Sequence, residues 1–147
     1  MIGLAYALSG SRSAAEDLAQ EGFLAAHNAW DRVSLYEKPE AWVRRVVANK
    51  SVSMFRRRMR EAKAIAQMKP ESSYLPRIAA EDDEFWKAVR GLSKRQSQAI
   101  ALHYLEELSV AEIAEILECA EGTVKVHLYK GRKRLADRLG LEMEGSG

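Results

Sequence analysis

Basic side chains are concentrated near the end of this 147-residue sequence, in a pattern that favours contact with nucleic acid. Six lysines and arginines but only one acidic residue lie from Lys125 to Arg138. At 100° per residue, a helix here has an apolar side around Val124 and Leu128 and a basic side around Lys130. Such a helix fits the major groove, where its early residues meet base edges and its later cations meet phosphates. On this pattern alone, an ordinary amphipathic helix with a solvated basic face is the alternative.

A second cationic surface follows Pro39. On a helix that begins there, Trp42, Arg45 and Asn49 lie nearly opposite the apolar side, and residues 56–58 are three consecutive arginines. Arginines neutralise phosphates, and a tryptophan can stack on an unstacked base. The pattern therefore favours a DNA surface with base contacts. The alternatives are a tryptophan that packs between helices and an arginine-rich helix end that is only solvated.

An acidic stripe lies on the first long helix. Asp17, Gln20, Glu21 and Leu24 have the i, i+3, i+4, i+7 spacing of a single helix face. An exposed polar stripe that includes an apolar side chain is suited to a protein partner. Simple solvation of the stripe is the alternative.

The sequence contains no recognisable enzyme chemistry. The three histidines, His27, His103 and His127, lack the spacing of metal ligands, and no glycine-rich phosphate loop follows a strand. Cys119 is the only cysteine, and we expect it to pack in the core of the C-terminal helices. We therefore predict no catalytic residue, no cofactor and no metal. Short, interrupted apolar runs and the lack of a signal peptide predict a cytoplasmic chain without a membrane span.

Helical periodicity runs through almost the whole sequence, and no stretch alternates like a strand, which predicts an all-α fold. Residues 64–86 contain Pro70 and Pro76, have no sustained apolar stripe and carry a net charge of −3, as expected of a flexible acidic linker. The predicted helices span residues 14–30, 40–62, 82–91, 93–105, 110–117 and 122–139. Two small helical domains, at residues 1–63 and 87–141, are therefore expected on either side of the linker, with a tail at 142–147.

The second domain has the local signals of a helix-turn-helix. Ser109 and Glu112 form a capping box, in which each side chain accepts from a backbone amide at the helix start. The apolar stripe that follows ends at Leu117, and a short connection over residues 118–121 leads to the basic helix. Two short helices with so short a turn between them are typical of the helix-turn-helix.

In this order, the motifs resemble the extracytoplasmic-function (ECF) sigma factors, the smallest members of the sigma-70 family. Asp-Leu-Ala-Gln-Glu-Gly at residues 17–22 is similar to the core-binding segment of sigma region 2. Lys-Pro-Glu-Ala-Trp-Val-Arg-Arg-Val-Val-Ala-Asn at 38–49, followed by the arginines at 56–58, is similar to the −10 recognition helix of that region. Two stretches are similar to region 4: residues 92–125, which begin Leu-Ser-Lys-Arg-Gln-Ser and end Gly-Thr-Val-Lys, and residues 131–135, Gly-Arg-Lys-Arg-Leu.

The resemblance implies a sigma factor that binds core RNA polymerase, through its clamp and flap, and directs initiation at promoters. It places region 2, with a shortened first helix, at residues 1–63 and region 4 at residues 87–141. The implied clamp-binding residues are Asp17, Gln20, Glu21, Phe23 and Leu24. The implied −10 DNA-binding residues are Trp42, Arg45, Asn49, Lys50, Arg56, Arg57 and Arg58, beside a loop at residues 31–38. The implied −35 DNA-binding residues are Thr123, Lys125, Val126, His127, Lys130, Arg132, Lys133 and Arg134. An anti-sigma factor is a further partner that the resemblance allows.

Three positions in the helix-turn-helix depart from the family pattern. Val126 and His127 stand where the family often has serine and arginine, although Val126 can still contact a thymine methyl group. Glu118 stands where a turn glycine is common, which predicts some strain in the turn.

Two other functions fit parts of the sequence. A stand-alone helix-turn-helix regulator with an N-terminal sensing or dimerising domain would bind duplex DNA by itself, usually as a dimer on a palindrome. A helical adaptor that binds only protein is disfavoured by the two cationic helix faces.

Overall fold

The computed structural model describes residues 1–68 and 84–140. Within these residues the chain forms eight helices and no strand, which confirms the predicted all-α class. The helices are α1 (Ile2–Ser9), α2 (Arg12–Asn28), α3 (Trp30–Val33), α4 (Pro39–Met68), α5 (Glu84–Arg90), α6 (Lys94–Tyr104), α7 (Val110–Leu117) and α8 (Glu121–Leu139).

Helix α1 lies before the first helix that the periodicity predicts, in the stretch where the resemblance implies a shortened first helix of region 2. Leu4, Ala5 and Leu8 are at most 1% exposed, and α1 packs against α2, α4, α5 and α6. A helix that is apolar on nearly every side has no periodic polar face for a sequence pattern to reveal. It ends at Gly10, whose φ of 74° is the left-handed conformation that favours glycine.

Helices α2 and α4 cross closely at a glycine. The Ser11 side chain accepts a hydrogen bond from the amide of Ala14 at 3.2 Å and caps the start of α2. A Cβ atom on Gly22 would lie 2.5 Å from Cγ2 of Val47, so the two backbones can approach this closely only without a side chain there. The buried side of α2 faces α4, which leaves its acidic stripe exposed.

Helix α4 has a packed first half and an exposed second half. Pro39 occupies its first turn, where the missing amide hydrogen costs nothing. Val43, Val47 and Ala48 are buried, whereas residues 56–67 are exposed apart from the half-buried Ala62. The helix continues to Met68, so residues 64–68 of the predicted linker are helical. The rest of that segment through residue 83, and the tail at 142–147, lie outside the described residues.

Helices α5 to α8 form the second half of the structure, with α8 packed against α5, α6 and α7. Val124, Leu128 and Leu135 are at most 5% exposed, which confirms the predicted inner side of α8. A Cβ atom on Gly131 would lie 3.1 Å from Cγ1 of Ile100, so the glycine brings α8 close to α6.

The two halves pack together mainly where α4 meets α7 and where α1 meets α5 and α6. Their apolar side chains form one continuous buried cluster. Arg90, which is 5% exposed, donates from Nη1 to the carbonyl oxygen of Ala7 at 2.8 Å. Regions that the sequence pattern separates are therefore packed together in this structure.

Candidate nucleic-acid and polymerase interfaces

The outer side of α8 is a basic surface held by the preceding helix. The capping box is present at the start of α7: the Ser109 Oγ accepts from the Glu112 amide at 3.1 Å, and Glu112 Oε1 accepts from the Ser109 amide at 3.1 Å. Glu118 ends α7 with a φ of 55°. This is the left-handed conformation that favours glycine, the residue that is common at this turn position in the family. The next helix begins at Glu121, three residues later, and its inner side packs on α7. The predicted helix-turn-helix is therefore formed.

Most of the predicted −35 residues share the exposed side of α8. The exposed members are Thr123, Lys125, Val126, Lys130, Lys133 and Arg134. Arg132 lies at the edge of this surface, where its guanidinium is 5.5 Å from the centre of the Tyr104 ring. His127 is half-buried, and burial together with the charges of Arg95 and Lys130 lowers its pKa below the ordinary 6.5. His127 is therefore neutral near pH 7, so the positive charge of this surface comes from lysine and arginine.

The predicted clamp-binding residues lie together on α2. They line a shallow depression of about 680 Å³, which is bounded by Asp17, Gln20, Glu21, Phe23, Leu24 and His27. Phe23 is 55% exposed and Leu24 is 58% exposed, so two consecutive large apolar side chains lie at the surface here. His27 was not among the predicted clamp-binding residues, and its position four residues after Phe23 is the signal that places it here.

The predicted −10 residues divide into two groups on α4. Lys50, Arg56, Arg57 and Arg58 are exposed, and the three arginines lie on the second half of the helix. Trp42, Arg45 and Asn49 are half-buried, because the first half of α4 lies against the second half of the chain.

The half-buried group makes defined contacts. Arg45 donates from Nε to the carbonyl oxygen of Ile116 at 2.8 Å and forms an ion pair with Glu118. Asn49 Oδ1 accepts from Nε2 of Gln98 at 2.9 Å. The indole of Trp42 packs against the core and also borders a cavity of about 340 Å³ between the start of α4 and α7.

Three exposed apolar side chains near the start of α4 were not named individually from the sequence. Trp30 is 52% exposed, Leu35 83% and Tyr36 43%, and Tyr36 lines the cavity with Trp42. They fall in or next to the predicted DNA loop at residues 31–38. The signal that could have identified these three residues in the sequence is their clustering as apolar residues within a polar segment.

Comparison with known proteins matches both halves of the chain to one family. The sigma-70 region 2 family model matches residues 1–61, and the sigma-70 region 4 model matches residues 82–135. The ECF RNA polymerase sigma factor SigF of Caulobacter vibrioides is 31% identical, over 90% of this chain and 74% of its own length. SigW of Bacillus subtilis is 28% identical, over 92% of this chain and 81% of its own length.

The chain belongs to the family of ECF sigma factors. A solved structure agrees: the sigma factor RpoE of Bartonella quintana, in complex with the anti-sigma factor NepR, has a TM-score of 0.67 and 29% identity. It covers 97% of this chain, which in turn covers 91% of RpoE. The region 2 match spans α1, α2, α3 and most of α4, and the region 4 match spans α5 to α7 and most of α8.

Family membership also settles the class of activity, because sigma factors are initiation factors and not enzymes. Within residues 1–68 and 84–140, no three histidine, cysteine or acidic side chains come together as metal ligands. Cys119 is half-buried against the apolar core of region 4. In the same residues, no helix is long and apolar enough to cross a membrane.

Proposed function

We propose that this ECF sigma factor uses three separate surfaces to direct core RNA polymerase to promoters in the cytoplasm. The α2 depression binds the polymerase clamp, the outer side of α4 binds the −10 element, and the outer side of α8 binds the −35 element. Region 2 corresponds to residues 1–63 and region 4 to residues 87–141, with the segment 64–86 between them.

The basic outer side of α8 carries the proposal. Six predicted contact residues are exposed on one side of a helix whose other side is held by α5, α6 and α7. A fixed helix with an exposed basic side is what insertion into a major groove requires, because base contacts need a rigid register and phosphate contacts need cations. Val126, which is 48% exposed, is placed to contact a thymine methyl group.

The α2 depression supports a protein partner. Phe23 and Leu24 expose apolar area beside four polar side chains, so the surface combines an apolar centre with a polar rim. The polymerase clamp is the partner we assign to it, and we assign the polymerase flap to region 4. Since RpoE was solved with an anti-sigma factor, we also propose an anti-sigma factor as a partner of this chain.

The test is whether specific DNA binding depends on core polymerase. Promoter fragments should bind the sigma factor with core tightly, and the sigma factor alone weakly. A variant with Arg56, Arg57 and Arg58 all changed to glutamine should bind promoter DNA more weakly in the holoenzyme and with a shallower salt dependence, because fewer counterions are released. Tight, sequence-specific binding to palindromic duplex DNA without core would instead identify a conventional helix-turn-helix regulator.

A further inference from the structure

Arg132 on α8 is held by a tyrosine that is not among the predicted −35 residues. Its Nε donates a hydrogen bond to Oη of Tyr104 at 2.5 Å, and its guanidinium lies 5.5 Å from the centre of the Tyr104 ring. Tyr104 is the last residue of α6 and is 48% exposed, so it lies at the surface beside α8. Within the described residues, Arg132 is the only predicted −35 residue whose side chain donates a hydrogen bond to another side chain.

The tyrosine is itself supported by the connection that leads into the helix-turn-helix. The ring of His103 meets the Tyr104 ring edge to face, with centres 4.9 Å apart and planes at 82°. Nδ1 of His103 donates to the carbonyl oxygen of Leu108 at 3.1 Å, and the Leu108 amide donates to the carbonyl oxygen of Leu102 at 3.1 Å. The side chain that holds Arg132 is therefore anchored to the end of α6 and to the residues that lead into α7.

Arg132 lies on the flank of the outer side of α8. Lys125 and Arg132 are seven residues apart, so they share one side of the helix and lie about 10 Å apart along its axis. Lys125 is exposed and Arg132 is half-buried. Cations on the flank of a helix in the major groove meet the phosphates that border the groove, whereas the centre of the helix face meets base edges. A backbone phosphate is therefore the group that suits Arg132.

The contact with Tyr104 leaves most of the guanidinium available to a phosphate. Arginine has five N–H donors in one plane, and Tyr104 takes only the one on Nε. In the part of the chain that the structure describes, no acceptor takes the four donors on Nη1 and Nη2 of Arg132. A hydroxyl, unlike a carboxylate, leaves the positive charge of the arginine uncompensated. Because the ring and the hydroxyl already fix the guanidinium plane, less side-chain freedom is lost when a phosphate binds.

We propose that Tyr104 is a positioning residue for promoter binding, which orients the Arg132 guanidinium for a backbone phosphate beside the −35 element. This inference rests on the proposed assignment of the outer side of α8 to −35 DNA. Tyr104 acts through Arg132, so replacing Tyr104 should matter only while Arg132 is present. The orienting contact also makes Arg132 more than a solvated cation, since its loss removes a phosphate contact with a fixed geometry.

The test measures promoter binding by the full chain assembled with core polymerase. The probe is a fluorescein-labelled promoter fragment chosen by run-off transcription, and fluorescence anisotropy gives its affinity at several salt concentrations. The variants are Tyr104→Phe, Arg132→Gln and the combination of both. Tyr6→Phe is the matched control, because it removes a hydroxyl from a tyrosine whose ring centre also lies 5.6 Å from an arginine, Arg12, but on α1. Circular dichroism verifies that each variant is folded.

Arg132→Gln should weaken binding about 5- to 10-fold and lower the slope of log K against log salt by about 1. Tyr104→Phe should weaken binding about 3-fold, because the ring remains but the hydrogen bond to Nε is lost. In the Arg132→Gln chain the same change should have an effect of less than about 1.5-fold, since the group that it orients is absent. Tyr6→Phe should bind as the unmodified chain does.

Three results would overturn the proposal. The first is equal binding by Tyr104→Phe and Tyr6→Phe, and the second is a full effect of Tyr104→Phe in the Arg132→Gln chain. The third is an equal loss from Tyr104→Phe and Arg132→Gln with an unchanged salt slope, which would identify the pair as a structural tie between α6 and α8. Lys130→Ala separates this proposal from the proposed function. If Lys130→Ala weakens binding, only the role of Tyr104 is wrong; if neither Lys130→Ala nor Arg132→Gln changes the affinity, the −35 assignment of α8 is wrong as well.

Discussion

Phe23 is the residue whose loss should most clearly weaken binding to core polymerase. Its ring is 55% exposed at the edge of the α2 depression. Of about 200 Å² in a phenylalanine side chain, roughly 110 Å² is then free to be buried by a partner. At about 25 cal/mol per Å², full burial contributes at most about 2.7 kcal/mol. Phe23→Ala keeps the Cβ atom, so we expect a loss of about 2 kcal/mol, or roughly 30-fold in affinity for core.

Competition for core polymerase against a labelled reference sigma factor measures this loss directly. Because Phe23 is more than half exposed, its replacement should change the free energy of unfolding by no more than about 1 kcal/mol, which urea denaturation checks. Ile65→Ala is the matched control, since Ile65 is 44% exposed but lies on the distal part of α4. Equal competition by Phe23→Ala, Ile65→Ala and the unmodified chain would refute the assignment of the α2 depression to the polymerase.

Three further changes test other parts of the structure. Lys130→Ala should weaken holoenzyme binding to all −35 sequences alike and lower the slope of log K against log salt by about 1, and an unchanged slope would remove Lys130 from the phosphate contacts. Gly22→Ala should lower the free energy of unfolding in urea by about 1–3 kcal/mol, since its Cβ would lie 2.5 Å from Val47; unchanged or increased stability would show that α2 and α4 separate easily. Hydrogen bonds from Ser109 lower the pKa of Glu112 below the ordinary 4.5, so its contribution to stability is present above pH 4.5 and is lost as the pH falls through the lower, folded-state pKa. Glu112→Gln should remove this part of the acid dependence, and identical stability profiles of both chains between pH 2 and 6 would contradict it.

Local signals made the helix-turn-helix predictable from the sequence. The Ser109–Glu112 capping box, the apolar stripe to Leu117 and the short turn each act within a few residues, so a pattern can show them. The exposed acidic stripe of α2 was predictable for the same reason, since the i, i+7 spacing of Asp17 and Leu24 places them on the same helix face.

Features that depend on distant contacts were not predictable in this way. Helix α1 is buried between both halves and has no polar face, so its role in the core appears only in three dimensions. The Arg45 side chain has the same sequence signature whether it contacts DNA or, as here, the end of α7, whose Glu118 lies 73 positions further along the chain. A pattern that identifies a cation cannot identify which anion is nearest to it in the folded chain.

This chain should turn core polymerase into a promoter-specific enzyme. Run-off transcription with purified bacterial core polymerase and a library of promoter fragments, with the sigma factor added or withheld, tests it most directly. We predict transcripts with defined start sites only when the sigma factor is present, from templates that share two sequence elements. No start-specific transcript from any template, with a folded chain that does bind core polymerase, would contradict the claim.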